Sequence, residues 1–260
     1  MQNEPTAAKP NYPVESVDRA LALLLLLRDR KSMSVSEASR AVGVAPSTAH
    51  RLLAALQYRG FVAQNPLTRA YGPGPVLLEL GLSVVRGLDI RAQARPVMET
   101  LVREVGETAH LAILCGGSND ILFIESVESD KALRVANRAG LTLPAHATAA
   151  GKALLASLSA AELSARYPVD TLPHSRPRAH ATRAALEQEL AAVRARGYAT
   201  NFDEREPDVS AVAAAITDRA GRVRAALTVS APLSRLDEAQ VTRIAEAVMR
   251  AAGEIGTGLS

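Results

Sequence analysis

Ser47, Thr48, His50 and Arg51 fall within five residues of a segment that begins at Pro46, and together they carry the chemistry of base-edge recognition. Short hydroxyls, histidine and above all arginine against guanine are what a helix lying in a major groove uses to read sequence. Ser34 upstream and Arg69 downstream extend the candidate contact set, Arg69 as a basic tip suited to phosphate or minor groove. A second group lies far along the chain. Thr228 and Ser230, two residues apart, would share one face of a strand, and the small residues of Thr148–Gly151 would open a helix whose donors suit a carboxylate. A third, Asp203, Glu204, Glu206 and Asp208, is a carboxylate cluster with only Arg205 beside it, and a solvated loop is the expected reading.

The elements that position the first group can be read locally. Ser34 with Glu37 three residues on forms a capping box, so a helix starts there, and Gly43 suits the turn that ends it. Pro46 is at home in the first turn of the next helix, Pro46 to Arg59, in which Ala49, Leu52, Leu53 and Leu56 keep helical spacing. The polar side chains therefore face away from the core. Gly60 ends this helix, and two short extended runs joined by residues 64–69 make a hairpin. Helix, turn, helix, hairpin is the order of a winged helix-turn-helix, over residues 15–74, with duplex DNA as the expected partner.

Composition fits this reading. The chain has 260 residues, 48% of them hydrophobic, enough for two domains. Residues 1–85 hold nine Lys and Arg against six Asp and Glu, while the remainder holds 21 of each, so the excess positive charge lies in the segment that reads as DNA-binding. The apolar run Leu21–Leu27 is much shorter than the roughly 20 residues a bilayer span requires. With no leader pattern ahead of it and a single cysteine, Cys115, a cytoplasmic protein without disulfide, metal or other cofactor is expected.

Residues 1–14, rich in proline, read as a flexible tail, after which Ser16 is expected to cap a helix through Arg30. A linker helix is expected over 75–88, with Leu77, Leu80, Val84 and Leu88 in one stripe that would help form a two-fold dimer. The segment 89–260 alternates strand pairs with helices. Helices are expected from Asp89 to about Val105, at Thr148–Ala156, Ser159–Tyr167 and Thr182–Arg196, and from Arg235 to about Ala252. Hairpins are expected from Thr108–Leu114 with Ile121–Val127 and from Val209–Thr217 with Val223–Ser230, with shorter extended runs at Leu133–Ala136 and around Leu141. This is an α+β domain around an antiparallel sheet.

Enzyme signatures are weak. A phosphate-binding loop through Gly151 and Lys152 would need glycine where His146 stands and a hydroxyl where Ala153 stands, and no Gly-x-Ser-x-Gly elbow is present. His110, His146, His174 and His180 are not at metal-ligand spacing and read as structural or solvated.

Val17–Leu24, Ser34–Gly60, Ala70–Gly74, Leu143–Lys152 with Pro144, His146, Thr148 and Gly151, Asp203–Val212 and Ala225–Pro232 follow one another as in a known family. In these stretches the chain resembles the IclR family of bacterial transcriptional regulators. The resemblance implies a winged helix-turn-helix, a linker helix and an effector domain similar to GAF and PAS sensors, in dimers or tetramers on palindromic sites, more often as repressors than activators. It also implies that Leu143, Ala149, Ala150, Asn201, Ala211, Thr228 and Ser230 line an effector pocket for a small organic acid. Family members that recognise keto acids can carry an acid where Asn201 stands and a cysteine where Ala211 stands, and often proline where Ala215 stands. These departures bear on the identity of the ligand and not on the fold, so no named effector is carried over to this chain.

Overall fold

The computed structural model describes residues 14–86, 90–116, 118–173 and 176–259. The tail ahead of Val14, the stripe residue Leu88, Asp89, Gly117 and His174 lie outside the described residues, as does the side chain of Val84. The described residues fall into two compact units that part between Arg86 and Ile90.

In the first unit, α1 (Glu15–Asp29) follows Val14 with no side-chain cap, so Ser16 does not cap it. The helix is held instead by Leu23 and Leu27, which enter the core with Met33, Ala38, Ala49, Leu53, Val62 and Tyr71. The capping box at Ser34 is formed: the Ser34 hydroxyl accepts from the Glu37 N–H, and the Glu37 carboxylate accepts from the Ser34 N–H at 2.7 Å. It starts α2 (Val35–Val42), which ends at Gly43 in the left-handed conformation, φ 64°, where a side chain would be strained. Pro46 opens α3 (Pro46–Tyr58). The wing is β1 (Val62–Gln64) paired antiparallel with β2 (Tyr71–Pro73). Its turn is an Asx turn in which Asn65 Oδ1 accepts from the N–H groups of Leu67 and Thr68. After the wing comes α4 (Pro75–Arg86), on which Leu77 is half-buried and Leu78 and Leu80 are exposed.

The second unit is built on a six-stranded antiparallel sheet. Its strands are β3 (Thr108–Leu114), β4 (Asp120–Val127), β5 (Thr142–Pro144), β6 (Ala199–Phe202), β7 (Val209–Thr217) and β8 (Val223–Pro232), in the order β5-β4-β3-β8-β7-β6. Alternation along the strands separates two faces. Ala112, Ala211, Ala213 and Ala226 join a core with α6 (Ala149–Leu155), α7 (Ala160–Arg166) and α8 (Arg183–Arg196). Val212, Ala214, Leu227 and Val229 turn the other way, toward α5 (Ile90–Val105) and α9 (Glu238–Gly258).

Several boundaries differ from the sequence reading. Residues 133–136 form no strand; they are tied as a loop by the Thr108 hydroxyl, which donates to the Val135 carbonyl at 2.8 Å. The run expected around Leu141 is the three-residue β5. The strand β6 was not expected; only its pairing with β7 makes the stretch extended. The last helix starts after Asp237, which caps it, while Leu233–Arg235 is a separate 3-10 turn, and it runs six residues beyond Ala252.

Candidate functional site

On α3 the register of side chains follows from one buried row. Ala49 and Leu53 are fully buried and Leu52 and Leu56 pack beside them, which turns Pro46, Ser47, His50, Arg51 and Ala54 to solvent and leaves Thr48 half-buried. Ser34 sits at the head of the preceding helix with its hydroxyl engaged by Glu37. Arg69 is exposed in the wing turn and adopts φ 58°, a left-handed conformation stabilised by its N–H to the Asn65 carbonyl and by the Gln64 amide donating to its own carbonyl. The seven candidates thus share a unit, five of them, on α3 and the wing, exposed to solvent, with Ser34 at the helix cap and Thr48 partly covered. Tyr58 and Leu67 are also exposed, neither of which residue type alone would have marked.

The second unit contains a small recess, with about 30 Å³ open to the centre of a water-sized sphere. Leu143, Ala149, Ala150, Asn201, Ala211, Thr228 and Ser230 all line it. The sheet register explains how residues distant in sequence meet: Asn201 pairs with Ala211, Ala211 with Ser230, and Thr228 with Ala213, so these side chains share one face. The roof is α6, which approaches closely because Gly151 lacks a side chain; a Cβ there would stand 2.1 Å from the Ala145 carbonyl oxygen. Thr148, also in the lining, caps α6 by accepting from the Gly151 N–H at 3.1 Å. That donor is therefore already used. Asn201 donates one of its two amide protons to the Ala147 carbonyl at 2.6 Å, and Thr228 donates its single hydroxyl proton to the Val212 carbonyl at 3.1 Å, which leaves lone pairs on Thr228 and one N–H on Asn201.

The sequence reading missed Phe123, Arg138, Arg205, Glu206 and Val209 in the lining. Three of these come from loops, where no periodicity marks a residue as inward. Arg138 is ion-paired with Glu206, and its guanidinium lies 5.8 Å from the centre of the Phe123 ring.

The acidic segment is solvated only in part: Asp208 is exposed as expected, but the other three carboxylates are paired. Asp203 pairs with Arg176, Glu204 with Lys152 at 2.6 Å, and Glu206 with Arg138. Lys152 and Glu204 are both buried, and a buried charge is tolerated only when paired in this way. The Arg176 guanidinium, hydrogen-bonded to Asp203, holds that carboxyl below the usual carboxylate range. Among the described residues no group of His, Cys, Asp and Glu is arranged to hold a metal ion.

His110 and His146 are structural in setting. His110 is buried on β3 with Nδ1 2.8 Å from the Ser126 hydroxyl, and burial followed by the nearby Arg138 charge pushes its pKa down to about 3. His146 lies 2.7 Å from the Pro173 carbonyl, and burial likewise lowers its pKa. His180 is lowered by burial and then by Lys152. None of the described helices is long and apolar enough to cross a membrane.

Comparison with known proteins bears on both units. Residues 16–66 match the IclR helix-turn-helix domain, and residues 82–257 match the bacterial transcriptional regulator IclR C-terminal domain. The chain is 37% identical over 239 residues to the HTH-type transcriptional regulator XynR of Escherichia coli, spanning 92% of this chain and 94% of that protein. A crystal structure of an IclR transcriptional regulator from Silicibacter sp. TM1040 is similar with a TM-score of 0.81 and 31% identity, over 94% of this chain and 98% of that one. An IclR homolog from Microbacterium hydrocarbonoxydans, complexed with 4-hydroxybenzoate, is similar with a TM-score of 0.77 and 28% identity over the same shares.

Proposed function

The chain belongs to the IclR family of bacterial transcriptional regulators, and from that premise we propose that it binds a palindromic operator as a homodimer and responds to a small organic acid in the recess. The observation that carries the DNA half is the division of α3 into a buried apolar row and an exposed face of Ser47, His50 and Arg51. Ser34, Pro46, Thr48 and Arg69 complete the proposed contact surface. Dimerisation is supported by α1, where Val17, Leu21 and Leu25 repeat at four-residue spacing and are 53%, 55% and 61% exposed. Such a stripe is costly in water and suits a second copy of the same helix. Two-fold symmetry would set the recognition helices about 34 Å apart, one turn of DNA.

The effector half rests on a concave site, and a similar IclR homolog is complexed with 4-hydroxybenzoate. Occupancy would bias the spacing of the two recognition helices, a coupling typically worth about 1–3 kcal/mol in operator affinity. Repression in the cytoplasm is the mode of action this reading favours, with no cofactor required.

Selection of sheared genomic DNA by the purified protein at physiological salt, followed by sequencing, tests it. Enrichment of a palindrome ahead of a catabolic operon is the expected result. Uniform, salt-sensitive recovery without an enriched site would overturn sequence-specific binding.

A further inference from the structure

Arg138 and Glu206 meet in the lining of the recess, one from the loop ahead of β5 and the other from the segment between β6 and β7. They are anchored unequally. Arg138 donates its backbone N–H to the Ser126 hydroxyl at 3.2 Å, its guanidinium rests against the Phe123 ring, and its side chain is only 13% exposed. The Glu206 side chain is 39% exposed, and among the described residues its carboxylate has Arg138 as its one partner. A largely buried cation, with its backbone tied down and its guanidinium against a ring, thus faces a more exposed anion held by that cation.

The lining holds other donors as well: Asn201 keeps one N–H beyond its bond to the Ala147 carbonyl, Ser230 has its hydroxyl and Arg205 its guanidinium, whereas Thr228 has given its proton to a backbone carbonyl. Arg138 is set apart by facing a half-exposed carboxylate of the same lining. A guanidinium matches a carboxylate bidentately. We infer that Glu206 occupies the place of the effector's carboxylate, and that a monocarboxylate with a compact apolar body enters the recess by taking over Arg138 while Glu206 turns to solvent. The inference rests on the effector reading of the recess. Exchange of one carboxylate for another leaves Arg138 paired throughout, so no buried charge is stranded. It also makes Glu206 a built-in competitor that sets the concentration at which the protein responds.

The test compares wild type with Glu206→Gln, Arg138→Ala and Arg138→Lys, using acetate, butyrate, benzoate and 4-hydroxybenzoate, each beside its neutral carboxamide. Binding is read by calorimetry on the full chain, with thermal melting as a check of folding. Glu206→Gln keeps a hydrogen-bond acceptor for Arg138 but removes the competing charge, so at least one carboxylate is expected to bind about fivefold tighter, with its carboxamide unaffected. Arg138→Ala should weaken the same carboxylate by about tenfold or more, with partial recovery in Arg138→Lys. Asp203→Asn, which removes a charge from the same segment but from the partner of Arg176, should change little. Equal carboxylate affinity in wild type and Glu206→Gln would overturn the exchange while leaving the effector site standing. Absence of binding by every acid to every folded variant would remove the effector reading and the exchange together.

Discussion

On α3, Ser47, His50 and Arg51 stand in solvent above buried Ala49 and Leu53, whereas in the recess Asn201, Thr228 and Ser230 are buried, and two of them are bonded to backbone carbonyls. The first unit keeps its proposed DNA-facing side chains, Ser34 excepted, apart from the groups that hold it together. The second places its proposed effector-facing groups among those that hold it together. Damage should therefore separate function from stability in one unit and combine them in the other.

The largest expected effect is on the second unit. Lys152→Met strands the buried Glu204 carboxylate, and loss of one partner of a buried pair costs about 3–5 kcal/mol, seen as a large drop in the melting temperature. If the melting temperature stayed within a degree, the claim that this unit's charges are structural would fail.

Acid is expected to act next. His110 binds no proton in the folded unit until about pH 3, while the unfolded chain binds one near 6.5, so the unfolded state takes up more protons between those values. Stability contributed by neutral His110 is complete above about pH 6.5 and declines as pH falls toward 3. Melting curves of His110→Asn should show a shallower decline than wild type over that window, and parallel curves would remove His110 as the cause.

Smaller, and confined to DNA, is Arg51→Ala. Operator affinity should fall by about 1–3 kcal/mol with the melting temperature unchanged, as measured by fluorescence anisotropy beside thermal melting. A fall in stability instead would place Arg51 with the second unit's pattern. Smallest is Arg69→Ala, which should weaken binding alike on all sequences and lower the salt slope by about 1.

What was legible in the chain follows the range of the forces involved. Ser34 with Glu37 and Ser159 with Glu162 are local pairs, and both capping boxes are formed. The buried row of α3 is likewise local, repeating every three to four residues. The stretch Ala199–Phe202 has no such signature, because its extension depends on β7. Arg138 and Glu206 are 68 residues apart, and Lys152 and Glu204 are 52 apart, so neither partner carries a local mark of the other. The acidic segment consequently looked solvated when it is tied down by three cations. Of the recess, seven residues on strands and on α6 were named through family resemblance, whereas Phe123 and Val209 on strands and Arg138, Arg205 and Glu206 on loops were not.

The sheet of the second unit ends in its two shortest strands, β5 with three residues and β6 with four, and β5 closes on Pro144, which has no N–H to offer. Long flat borders invite another chain to add itself in register and seed aggregates, and borders this brief offer too few backbone groups to hold one. Recruitment of a further strand along this sheet is thereby suppressed, and the sheet ends within its own unit.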